Sequence, residues 1–212
     1  MTGTVQIRAD EGTGRAFVLL FERGSAEREA RALLGALSPR HRVLLLEVPV
    51  LEPQSWRASA GEVLELLKGQ AVRQVSFVAF GPAAAPAQYL CLTEPRFVRT
   101  MALVDAVTRP HASRLTRFVD RLESWLPLGL PLRLSGAGFD CRPFLQRIRC
   151  PVLIVTTSAA SEYVRGEGAV MADRLPTAWQ VTLSAEGAAE ELARLVATFT
   201  DVPAKCPQKS AA

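Results

Sequence analysis

Few groups in this chain can do proton or acyl chemistry. It has two histidines, His41 and His111. His111 follows Asp105 closely enough for the two to serve as an acid–base pair that activates water or an incoming hydroxyl. Ser158 or Ser161 could then supply a nucleophile, and Glu162 beside them a second carboxylate. No spacing favours this grouping specifically. The four cysteines, Cys91, Cys141, Cys150 and Cys206, form no CxxC pair and no metal-ligand rhythm, so neither a metal nor another cofactor is expected. Cys91 falls inside an Ala-rich helical stretch and reads as a small core residue. Gly136-Ala137-Gly138 is too sparse for a phosphate loop, and no strand precedes it.

The elements that must position these groups alternate between strand and helix. Residues 72–105, VRQVSFVAFGPAAAPAQYLCLTEPRFVRTMALVD, organise the chain. They read as a buried strand over 75–80, a tight turn at Gly81-Pro82, a short helix, and a second buried strand over 101–104. A nearly continuous apolar run that turns sharply into a helix is what a parallel sheet covered on both faces requires. Before it, residues 4–8 and 16–21 are strand-like and joined by DEGTG, which predicts an antiparallel hairpin. Residues 25–38 predict a helix with Ser25 as N-cap and Pro39 as stop. A strand over 42–48, a loop over 49–59 and a helix over 60–70 follow. From 108 to 150 the strand rhythm stops. There Leu115, Phe118, Val119, Leu122, Trp125 and Leu126 recur at helical spacing, with charged residues on much of the other face. A strand over 151–156, a helix over 167–174, a strand over 179–183 and a helix over 188–199 complete the pattern. The tail from Pro203 is polar and expected to be disordered.

This order of elements resembles the α/β-hydrolase superfamily. The segment Ala79-Phe80-Gly81-Pro82-Ala83 stands where that family carries its nucleophile elbow, G-x-S-x-G. Phe21-Glu22 falls where the family often has His-Gly, and Glu47-Val48-Pro49 where it often has Asp-x-x-Gly. Pro95-Arg96-Phe97-Val98 and Ala102-Leu103-Val104-Asp105-Ala106 look like the end of the elbow helix and the next strand, and Cys150-Pro151-Val152-Leu153 like the start of the one after. The resemblance covers residues 16–200. It implies a doubly wound, mostly parallel α/β sheet of about seven strands in a single domain spanning 1–202. A small helical cap, at about 108–150, would follow the family's sixth strand. Another open α/β fold, flavodoxin-like for example, is the competing reading.

The resemblance also says where catalysis should reside, and three positions depart from it. Gly81 occupies the nucleophile position and has no side chain. Pro82 follows it, where an N–H should help bind the oxyanion, and proline has none. Ala188 stands where the base histidine is expected. Asp105 lies where some relatives place the acid, and its plainer reading is a carboxylate that caps backbone N–H groups. Three departures at three separate places imply a degenerate member of the family that acts by binding and not by Ser-His-Asp hydrolysis. The alternative is an active hydrolase or acyl-transfer enzyme with a relocated site built on Asp105 and His111.

If binding is what remains, the crevice between strand ends and cap would be apolar. Phe21, Glu22 and Phe80 would line it from the sheet, and Leu115, Phe118, Leu122 and Trp125 from the cap. An apolar small molecule fits such a crevice; the cap helix could instead dock on a protein partner. The charge balance of 25 basic against 21 acidic residues is mild, and the arginines are dispersed, so nucleic acid is not an expected partner. No apolar run reaches the ~20 residues that span a bilayer, and the N-terminus has no signal-like layout. A reduced, cytoplasmic protein is expected. Homo-oligomerisation is left open, and the preference for Arg over Lys hints at a GC-rich bacterial genome.

Overall fold

The computed structural model describes residues 4–49, 56–108, 140–184 and 188–201. Among these, seven strands form one sheet: β1 (Gln6–Glu11), β2 (Ala16–Glu22), β3 (Arg42–Val48), β4 (Val75–Phe80), β5 (Val98–Val104), β6 (Val152–Thr157) and β7 (Ala178–Leu183), in the spatial order β1-β3-β2-β4-β5-β6-β7. All neighbours are parallel except β1, which runs antiparallel to β3. The helices are α1 (Glu27–Leu37), α2 (Trp56–Gly69), α3 (Ala84–Thr93), α4 (Glu162–Arg174) and α5 (Ala188–Asp201). The mostly parallel, doubly wound sheet expected from the sequence is therefore present.

The central strands are apolar nearly end to end because helices cover both faces. Alternate residues divide between two cores. One holds Val18, Leu20, Leu44, Leu46, Phe77, Ala79, Met101 and Ile154 under α2, α3 and α4. The other holds Phe17, Leu19, Phe21, Val43, Leu45, Val78, Phe80, Val104 and Val155 under α1 and α5. Each Val, Leu, Ile, Phe or Met side chain among these, removed from water, contributes about 1.5–3 kcal/mol before the entropy of ordering is subtracted.

The predicted hairpin between the first two strands does not form. β3 lies between β1 and β2, and β2 pairs in parallel with β3 and β4. The reason is burial. Phe17–Phe21 are all buried and need a strand on each side, whereas β1 exposes most of its residues and suits an edge. The β1–β2 connection crosses the α1–β3 turn, and Gly12 (φ +76°) packs there so closely that a Cβ would lie 2.1 Å from the His41 carbonyl oxygen and 2.3 Å from that of Ser38.

Other boundaries move for local reasons. Ser25 is not the N-cap of α1; Ala26 takes that position in the left-handed region, with no side-chain cap. α2 begins at Trp56, inside the predicted loop, because Ser59 and Ala60 are buried and Trp56 stacks edge-on to Tyr89 at 5.1 Å. α4 begins at Glu162, earlier than predicted, because the Ser161 hydroxyl accepts the Val164 N–H. β5 begins at Val98 and pairs with β4 across a bulge at Val75/Ser76. The predicted cap helix and the C-terminal tail from Pro203 lie outside the described residues.

Candidate functional site

Parallel α/β sheets place ligands at the C-terminal ends of their strands. At that edge the chain leaves β4 at Phe80, makes a single 3-10 turn over Gly81–Ala83, and enters α3. Gly81 has φ +51°, a left-handed conformation that costs glycine little and other residues more. A Cβ built on Gly81 would meet no atom of the described residues within 4 Å. The turn therefore has the sharp strand-to-helix backbone of an elbow. Pro82 follows with no N–H, and the Ala84 N–H closes the turn onto the Gly81 and Pro82 carbonyl oxygens.

Next along the edge, Asp105 ends β5 with φ +48°. Its carboxylate accepts the Thr157 N–H at 2.8 Å and the Thr157 hydroxyl at 2.7 Å, and its own N–H donates to the Val155 carbonyl at 2.9 Å. Both oxygens thus serve the end of the neighbouring strand. On the other flank, Glu47 near the end of β3 is buried and accepts from Arg8 Nε at 2.7 Å and Arg23 Nε at 2.6 Å. Burial alone would push its carboxyl up; hydrogen bonds and charge from Arg23 and Arg8 outweigh burial and hold it below the usual carboxylate range.

The two chain segments that bound residues 109–139 meet in a buried polar cluster. Glu167 of α4, 2 % exposed, accepts the Thr108 N–H at 3.1 Å, the Thr108 hydroxyl, and the Arg142 guanidinium. Arg142 Nε also donates to Thr108 Oγ1 at 3.0 Å, and the Cys141 N–H donates to the Thr108 carbonyl at 3.0 Å. Cys141 Sγ donates to Gln88 Oε1 of α3 at 2.7 Å, and burial pushes that thiol well up. Beneath, the Cys91 and Cys150 sulfurs lie 3.1 Å apart; the neighbouring Cys91 thiol and burial raise Cys150 strongly. Cys141 and Cys150 are therefore poor nucleophiles.

Of the residues singled out from sequence, Gly81, Pro82 and Asp105 share the C-terminal edge. Phe21 and Phe80 are buried in the core under α1 and α5, and Glu22 is half-buried at the end of β2. Glu162 is exposed on the first turn of α4, Ser161 caps that helix, and Ser158 is exposed with its N–H on the Leu183 carbonyl at 2.8 Å. Ala188 opens α5. His41 sits at the opposite edge against Phe17, with ring centroids 4.7 Å apart. His111, Leu115, Phe118, Leu122 and Trp125 lie outside the described residues. Among the described residues no group of three His, Cys, Asp or Glu side chains could hold a metal ion, and no helix is long and apolar enough to cross a membrane.

No protein-family profile and no curated protein sequence matches the chain. Solved structures do. A hydrolase from Pseudomonas aeruginosa PA01 is 18% identical, with a TM-score of 0.66 over 91% of this chain and 93% of that one. The enol-lactonase of Burkholderia xenovorans LB400 is 15% identical, with a TM-score of 0.69 over 92% and 95%. MenH from S. aureus is 14% identical, with a TM-score of 0.69 over 92% and 97%. At these identities the likeness establishes the fold, and it is that of the α/β-hydrolases.

Proposed function

We propose that this α/β-hydrolase-fold chain is catalytically degenerate and works by binding, in the cytoplasm, rather than by Ser-His-Asp hydrolysis. The observation that carries this reading is Gly81-Pro82 at the turn after β4. The backbone bends there as an elbow must, but it presents no nucleophile. Pro82 removes one of the two N–H groups that would hold an oxyanion, and losing one such donor costs ~10²–10³ in rate even with a triad intact. Asp105 supports the reading from a second position, since both its carboxylate oxygens are engaged by Thr157. The ligand we propose is an apolar or acyl-type small molecule, held at the C-terminal strand edge around the Gly81-Pro82 turn.

The test uses purified full-length protein against a panel of p-nitrophenyl esters and acyl thioesters, with native mass spectrometry of the same preparation. The expected result is no turnover above buffer and a co-purifying apolar ligand. Turnover that disappears in His111→Ala, or in Asp105→Asn with the fold retained, would mean a relocated active site and would overturn the proposal.

A further inference from the structure

The opposite edge of the sheet carries a feature that the reading above does not use. A cavity of about 300 Å³ opens at the N-terminal ends of the central strands, lined by Arg15, Arg42, Arg73, Arg99 and Ser76 among others. Among the described residues no acidic side chain lines it. The four arginines come from four adjacent strands: Arg42 opens β3, Arg15 immediately precedes β2, Arg73 leads into β4, and Arg99 lies in β5. The sheet register brings them to one level, since Ala16 pairs with both Arg42 and Val75, and Val75 pairs with Val98. Strands ~4.8 Å apart spread the four backbone positions over about 14 Å, within convergent reach of long arginine side chains.

The charges are not equally available. Arg42 is held by Asp10 at 2.6 and 3.0 Å and by two oxygens of Gln70. The Asp10 hydrogen bond raises its pKa, so it stays charged and fixed as one wall. Arg73 and Arg99 have no carboxylate partner among the described residues. Beside them, the buried Ser76 Oγ accepts from Thr100 Oγ1 at 2.9 Å, which leaves the Ser76 hydroxyl proton to donate. Guanidinium groups with unspent donors, on residues that line one concave site, match the several oxygens of a phosphate-type anion.

We infer that this pocket binds a compact polyanion of the diphosphate class, with Arg73 and Arg99 as its principal contacts and Arg42 as a fixed wall. The site lies on the far side of the sheet from Gly81 and is independent of any chemistry there. A spread of cations across four strands favours two linked phosphate groups over one.

The test is isothermal titration of the full chain with inorganic pyrophosphate, orthophosphate and chloride at constant ionic strength. Pyrophosphate is expected to bind at least tenfold more tightly than orthophosphate. Arg73→Ala/Arg99→Ala should weaken it at least tenfold, whereas Arg28→Ala/Arg194→Ala, which removes the same charge from exposed positions on α1 and α5, should change it less than threefold. Binding no tighter than orthophosphate, or an equal loss in both double variants, would overturn the inference by reducing it to general attraction for anions.

Discussion

Asp105 and Thr157 join the ends of β5 and β6: one carboxylate accepts both the N–H and the hydroxyl of a single residue, at 2.8 and 2.7 Å. Because Asp105 sits at φ +48°, the bond also fixes a left-handed turn that Asp and Asn tolerate better than most residues. This arrangement predicts a structural effect from substitution. Asp105→Ala loses both hydrogen bonds and keeps the backbone strain, and should cost about 2–3 kcal/mol in urea unfolding. Asp105→Asn keeps one acceptor and the turn preference and should cost about 1 kcal/mol. Equal stability of the two variants would contradict the assignment.

The crossing of the β1–β2 connection over the α1–β3 turn rests on Gly12. A methyl group there must displace two carbonyl oxygens, and the φ is already unfavourable to it. Gly12→Ala should destabilise the fold by about 3 kcal/mol or more. Gly24 provides the control: it has φ +79° with no atom of the described residues within 4 Å of an added Cβ, so Gly24→Ala should cost only about 1 kcal/mol. Thermal unfolding of both variants separates close approach from backbone conformation.

Glu167, Thr108 and Arg142 hold the insert's two ends together, with Glu167 almost wholly buried and the Arg142 side chain 25% exposed. Glu167→Ala leaves Arg142 and the Thr108 N–H without their acceptor and should cost about 3 kcal/mol. A double-mutant cycle with Arg142→Ala should give a coupling of about 1–2 kcal/mol; additivity would show that the two side chains do not interact.

Much of this fold is readable from apolar runs. β2 to β6 are legible because both faces are covered, so strand residues are apolar in succession and bounded by turns. The position of β1 is not legible, because a glycine-rich turn between two strand-like runs looks the same whether they pair or a third strand enters between them. The Gly81-Pro82 turn is visible in sequence because the departure falls inside a short motif. The Glu167 cluster and the arginine pocket are not, because their members come from distant segments with no local spacing. Arg15, Arg42, Arg73 and Arg99 become neighbours only once strand order and register are known.

Acid should reveal the role of Glu47. Its carboxyl is held below the usual range by Arg23 and Arg8 despite burial, so its contribution to stability is present above the unfolded-state pKa of ~4.3 and is lost as pH falls through the lower folded value. Glu47→Gln should be less stable than the parent at pH 7, by about 1–2 kcal/mol once the exposure of both arginines is allowed for. The gap should close steadily below pH 4–5 as the parent takes up its proton. A gap that does not change with pH would assign the loss to packing.

The central claim is that the elbow at Gly81 carries no acyl chemistry. Intact-mass spectrometry of the protein after incubation with a fluorophosphonate tests it most directly, because a Ser-His site would be phosphonylated covalently whatever its natural substrate. The predicted result is an unmodified mass for both the parent and Gly81→Ser. Gly81→Ser alone does not return the N–H missing at Pro82. A stoichiometric adduct on the parent protein, mapped to a serine at the C-terminal strand edge, would contradict the account.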